Sequence, residues 1–232
     1  EQMRLGYVER HHQWLEDQAR PLRKIGVHVT TEVVWVERPL QEILIHLREQ
    51  PMAALIKALE HESLLSRLMF TPLDIHLLRE CPVPLHFVSH VQHALPRRIV
   101  AAVDPFHRDG QYEGLNDRIL SEAARLASTC NAELDVIYAH DLSSLSAAEF
   151  GFDNASAFFS SSAAKRLFDA QGEAFQALAA RNNIPAENQH MIMGDPAKVL
   201  SSYADAYDVD VIVMGRVAHR GIGRLVGSTV EH

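Results

Sequence analysis

The chain has 232 residues, 47% of them hydrophobic and 22% charged, and carries a formal net charge of −8. That length accommodates one large domain or two small ones, and the composition is that of an ordinary soluble globular chain. The acidic balance argues against a nucleic-acid backbone as main partner, no apolar stretch reaches the roughly 18 residues of a membrane span, and Cys81 and Cys130 form no metal or redox spacing.

The opening stretch EQMRLGYVERHHQWLEDQ is charged and amphipathic, unlike a signal peptide, and the expected compartment is the cytoplasm. Residues 8–24 place Val8, Trp14, Leu15 and Leu22 at helical spacing. VHVTTEVVWV (27–36) alternates and is β-branched, which predicts a strand. Pro39 opens an amphipathic helix, since proline is favoured in a first turn. AALIKA (53–58) predicts a short buried strand. SLLSRLMFTPLDIHLLREC is helical in pattern, restarting at Pro72 with Thr71 as its cap, and VPLHFVSH is another strand. The polar stretch 89–96 ends in proline and predicts a linker.

Beyond the linker, strands are expected at 97–104, 133–141, 188–194 and 209–215, and helices at 116–130, 163–183 and 196–207. Residues 142–162, rich in Ser, Ala and Phe, predict a long loop. Strands that alternate with helices imply a parallel sheet with helices on both faces, because each connection is too long for a hairpin. The order helix, strand, Pro39 helix, strand recurs as helix, strand, Pro196 helix, strand, at an offset of 157 residues. Two tandem α/β units follow, 1–92 and 97–232. As given, the first lacks strands at its N-terminal end and the second lacks one at its C-terminal end. Duplicated units tend to reproduce the contact of a homodimer, so an intrachain pseudo-dimer is expected, with VPLHFV as a candidate for that contact.

The chain closes on MGRVAHRGIGRLVGSTVEH. Its glycines either cradle a phosphate or only turn the chain. Gly215 ends a strand; Gly221 and Gly223 allow close backbone approach; Gly227, Ser228 and Thr229 precede a helix-like ending whose free N–H groups suit an anion. Asp104 ends the strand RRIVAAVD and falls near the same crevice of a doubly wound sheet. Walker spacing is absent, and GIGRLVG is one residue too long for the dinucleotide fingerprint. His11, His12, His86, His90 and His93 lack the convergence of a zinc site. Ser160, Ser161 and Ser162 lack a nucleophile elbow. Phe150, Phe152, Phe158 and Phe159 flank the long loop and are expected to pack onto the core, the alternative being a loop that covers a pocket or a domain interface.

RRIVAAVD, GDPAKVL, DVIVMGRVAHRGIGRLVGSTVEH and SRLMFTPLDIHLLRECPVP together resemble the tandem universal stress proteins, most closely the two-domain universal stress protein E group. The resemblance spans nearly the whole chain. It implies doubly wound parallel sheets, Rossmann-like in form, a non-enzymatic role in stress response, and flanking strands beyond Glu1 and His232. Nucleotide-binding members carry Gly-x2-Gly-x9-Gly-Ser/Thr. Here Gly215 fits the first glycine, Ala218 replaces the second, and only eight residues separate Ala218 from Gly227. The implied cofactor set is Val103, Asp104, Ala139, Met214, Gly215, Gly227, Ser228 and Thr229, for ATP with its accompanying Mg or for another small hydrophobic ligand, and no other metal. In the first unit Pro72 offers no N–H and no glycine follows strand 53–58, so that half is expected to be empty. The alternatives are a slow ATPase on the same loop and a pure interaction protein that self-associates.

Overall fold

The computed structural model describes residues 2–59, 72–89, 93–106, 114–140 and 160–216. Gly221, Gly223, Gly227, Ser228, Thr229, Ala218, Thr71, His90 and the four phenylalanines named above lie outside the described residues, as does most of the 142–162 stretch.

The chain divides into two compact units, one assembled around the N-terminal helices and the other comprising the described residues from Phe87 onward. In the first, α1 (Gln2–Lys24) precedes α2 (Pro39–Glu49), which starts at its proline as expected. α2 packs on α3 (Pro72–Glu80), burying Leu44, Leu47 and Leu77. The two short strands β1 (Leu55–Ala58) and β2 (Leu85–Val88) pair with each other. The Leu55 and Leu59 N–H groups donate to the Pro84 and Val88 carbonyls at 2.9 and 2.8 Å.

The expected strand at 27–36 does not form. β-branched residues favour extended backbone, but a strand also needs a ladder partner. Among the described residues none pairs with this segment. It runs instead along α1: Arg23 donates to the Val29 carbonyl at 2.9 Å, Thr31 donates to Glu16, and Trp35 meets the Tyr7 ring edge-on at 5.6 Å.

In the second unit, β3 (Arg98–Ala102), β4 (Glu133–His140), β5 (Gln189–Met193) and β6 (Val211–Met214) form one sheet in the order β5-β4-β3-β6. Every neighbouring pair is parallel, as the helix-bearing connections require. The connecting helices are α4 (Leu115–Cys130), α5 (Ser162–Arg181) and α6 (Pro196–Tyr207). Side chains alternate across the sheet. Ile99, Ala101, Val136 and Tyr138 pack with Ile119, Leu120 and Ala123 of α4 and with Phe175 and Leu178 of α5. Val100 and Ile137 face the other way, against Leu200 and Tyr203 of α6.

Local chemistry fixes the helix ends. Ser161 accepts from the Ala164 N–H at 3.2 Å and caps α5, so this serine belongs to helix geometry. Asp195 accepts from the Lys198 N–H at 3.0 Å and caps α6, with Pro196 beside it in the first turn. Asn131 and Asp208 close α4 and α6 in the left-handed conformation that short polar side chains tolerate.

One further contact ties α5 to the start of α4. Asp117 accepts from Arg181 at 2.8 and 2.9 Å and from the Asn182 amide at 2.8 Å. The Arg181 and Asn182 hydrogen bonds pull the Asp117 pKa down to about 2. A depressed carboxylate pKa gives stability that is complete above the unfolded value and is lost as pH falls through the folded one. The stability deficit of Asp117→Asn should therefore be smaller near pH 2 than at pH 6, read as chemical-denaturation midpoints. An equal difference at both pH values would contradict this.

Candidate functional site

β3 connects to β4 on one side of it and has β6 on the other, so the chain reverses its winding between β3 and β6. Open α/β sheets bind ligands beyond the carboxyl ends of the strands at such a point. The residues there are Val103 and Asp104 after β3 and Gly215 after Met214 of β6. Met214 stands opposite Ala102 in the β3–β6 ladder. The Val103 N–H donates to the Ile137 carbonyl at 3.0 Å, and its side chain is buried against α4. Ala139, on β4, pairs with Ile192 of β5. Counting on from the Ala102–Ile137 pair brings Asp104 level with Ala139. Five of the sequence-predicted residues thus meet at the ends of three adjacent strands. Gly227, Ser228 and Thr229 are outside the described residues.

Two of the five carry structural duties that the sequence did not disclose. A Cβ on Gly215 would lie 2.8 Å from Ile119 Cδ1 and 2.9 Å from Leu115 Cδ2. The first turns of α4 close on this strand end, and any Cβ there would require the Ile119 and Leu115 side chains to shift. Asp104 is fixed through its backbone: Asn116 accepts from its N–H at 3.1 Å and donates to its carbonyl at 2.8 Å. Its carboxylate accepts from the Phe106 N–H at 3.1 Å. The exposed carboxylate still marks this rim as acidic. Burial, with the Asp104 charge adding to it, pushes the Tyr138 hydroxyl up to about 12. Asn116 was not among the expected site residues; its signal was only its place at the start of the helix that follows β3.

On β5's carboxyl side, Gly194 continues the ladder by donating to the His140 carbonyl at 3.1 Å, then turns at φ +147° into α6. His140 is the last residue of β4 and is buried. Burial lowers its pKa, so the imidazole is held neutral.

At the opposite, amino-terminal end of the sheet, Asp210 gathers the linker. It accepts from His93 Nδ1 at 2.8 Å and from the Arg97 and Arg98 N–H groups at 2.7 and 3.1 Å. His93 thus anchors the chain's entry into β3. Among the described residues no three His, Cys, Asp or Glu side chains are grouped to hold a metal ion, and no helix is long and apolar enough to cross a membrane.

Residues 96–232 match the universal stress protein family. The chain is similar over 232 residues to universal stress protein E of Escherichia coli strain K12, at 25% identity, covering 99% of this chain and 72% of that protein. It is 27% identical to universal stress protein E of Photorhabdus laumondii over 234 residues, covering 99% of this chain and 73% of that one. Among solved structures, one from Pseudomonas aeruginosa UCBPP-PA14, assigned by name to the universal stress proteins, superposes with a TM-score of 0.75 at 27% identity. It covers 95% of this chain and 73% of its own. A universal stress protein from Archaeoglobus fulgidus shares the fold with a TM-score of 0.58 at 18% identity, over 96% of this chain and 71% of its own.

Proposed function

The chain belongs to the universal stress protein family, and from that premise we propose that it is a cytoplasmic, non-catalytic stress-response protein that holds one adenine nucleotide in its second unit. The observation that carries this reading is the reversal of winding between β3 and β6, which sets Val103, Asp104, Met214 and Gly215 side by side with Ala139 one strand away. Asp104 offers an acceptor to ribose hydroxyls at that rim. Gly227, Ser228 and Thr229 would take the phosphates through backbone N–H groups and hydroxyls, with Mg accompanying them. The residues present fit the nucleoside end: an exposed carboxylate and a small side chain, Ala139, stand level on adjacent strands.

The first unit has a different end to its strand. On the 157-residue offset Ala58 stands where Gly215 does in the second unit. Beside it Lys57 forms an ion pair with the fully buried Asp74 at 2.8 Å. That pair ties strand β1 to α3, and Pro72 has no N–H to give a phosphate.

Titration calorimetry with ATP is expected to give one site per chain. Gly227→Val abolishes it, because a side chain enters the space where backbone meets phosphate, and Thr71→Ala leaves it unchanged. Two equivalent sites, or binding that survives Gly227→Val, would overturn the assignment. Phosphate release above the buffer rate, lost with Gly227→Val, would make the protein a slow ATPase instead. A second reading rests on Gly215: its packing under Leu115 and Ile119 accounts for that glycine without any ligand. On that reading the glycine-rich segment is a turn, the protein acts through protein contacts, and calorimetry detects no nucleotide.

A further inference from the structure

At the amino-terminal end of the second unit's sheet, away from the strand ends described above, a cavity of about 740 Å³ opens to solvent. Its walls are the linker residues before β3, the end of α4 and the end of α6, and all of them belong to that unit. Small-molecule pockets typically hold about 300–1,000 Å³, so the volume suits such a ligand.

The charges around the opening are not balanced among themselves. Arg98 is engaged by Asp135 and Glu133. Arg97 and Asp208 also line the cavity, and their side chains have no ion-pair or hydrogen-bond partner among the described residues. Their chains run side by side: the Asp210 N–H donates to the Arg98 carbonyl at 3.0 Å, and the Arg97 N–H to the Asp210 carboxylate at 2.7 Å. One cation and one anion thus stand unpaired around a single opening.

The helix ends add a second signal. Cations are favoured near a helix C-terminus, and α1, α2, α3 and α5 each carry Arg, Lys or His in the last turn. α4 and α6 carry none, and both end at this cavity. Asp208 sets a carboxylate at the end of α6, where the helix dipole is already negative. Its left-handed backbone is one that asparagine or glycine also adopts, so conformation does not demand the charge. Leu95, Pro96 and the ring of Tyr207, which is 53% exposed, supply apolar surface beside these groups.

We propose that this cavity binds a free α-amino acid with an apolar side chain, at a site independent of the nucleotide rim. Its ammonium pairs with Asp208 and the C-terminal end of α6, its carboxylate with the Arg97 guanidinium, and its side chain lies on Leu95 and Tyr207. A bare amine is repelled by Arg97 and a bare carboxylate by Asp208, so both charges on one small molecule are required.

Calorimetry on the full chain with L-phenylalanine, L-leucine, 2-phenylethylamine and 3-phenylpropionate tests this. At least one of the two amino acids is expected to bind at millimolar concentration or below. The amine and the acid should each be about tenfold weaker than L-phenylalanine, the loss of one charge-assisted contact. Arg97→Gln should weaken the amino acid about tenfold without weakening 2-phenylethylamine, and Asp208→Asn should weaken it about tenfold without weakening 3-phenylpropionate. Both side chains are exposed, so neither variant threatens the fold. Gly227→Val should leave amino-acid binding unchanged. Failure of both amino acids to bind, an amine or acid that binds as tightly as L-phenylalanine, or affinity unchanged in both variants overturns the proposal. Loss of amino-acid binding in Gly227→Val overturns it as well, by moving the ligand to the nucleotide rim.

Discussion

Asp135→Ala is expected to cost about 3 kcal/mol or more, the loss typical when one partner of a buried ion pair is removed. For a chain of this length that lowers the thermal midpoint by roughly 10 °C. The Asp135 side chain is buried on β4 under α6 and collects hydrogen bonds from four directions. Arg98 donates at 2.9 Å, the Asn188 amide at 3.0 Å and the Tyr203 hydroxyl at 3.1 Å, with His190 Nε2 at 3.4 Å. These come from β3, the turn before β5, α6 and β5, so one carboxylate fixes the relation of three strands and a helix. Its removal leaves Arg98 and Tyr203 without that partner.

The same network gives a pH signature. Burial alone would raise the Asp135 pKa; hydrogen bonds from Asn188, Tyr203, His190 and Arg98 outweigh it and hold the pKa below the usual carboxylate value. A depressed value means stability that is complete above the unfolded pKa of about 3.9 and is lost as pH falls through the folded one. The gap between parent and Asp135→Asn should narrow as pH falls below about 4. Denaturant midpoints across that range measure it, and a gap that widens in acid would show the sign wrong.

Gly215→Val is the second large effect, a loss of about 1–3 kcal/mol from overpacking. Its Cβ would come within 2.8–3.0 Å of Ile119 and Leu115, so those core side chains of α4 must move to accommodate it. The loss should appear in nucleotide-free protein, and Ile119→Ala combined with Gly215→Val should recover part of it by opening space. Parent-like stability of Gly215→Val without nucleotide would mean that α4 does not press on the strand end. This measurement also separates the two roles of Gly215, because a purely ligand-facing glycine would leave the free protein unchanged.

Much of the second unit was legible in its sequence. Hydrophobic runs that are too long for turns and too short for helices, alternating with helical periods, required a parallel sheet, and the ladders obey it. The helix at Pro196–Tyr207 has the expected bounds because its start is written in local chemistry, Asp195 as cap and Pro196 in the first turn. Strand-end residues such as Asp104 and Gly215 were placed together for the same reason: parallel connections put successive carboxyl ends on one side.

Segment 27–36 shows where local signals stop. Its β-branched pattern states a preference for extended backbone, but a ladder partner is a property of the surroundings. The duty of Gly215 was equally hidden, since the same letter serves a phosphate cradle and a close helix. Asp135 lay within the strand expected at 133–141 and nothing local set it apart. Its four partners come from positions up to 68 residues away, and only folding brings them to one carboxylate.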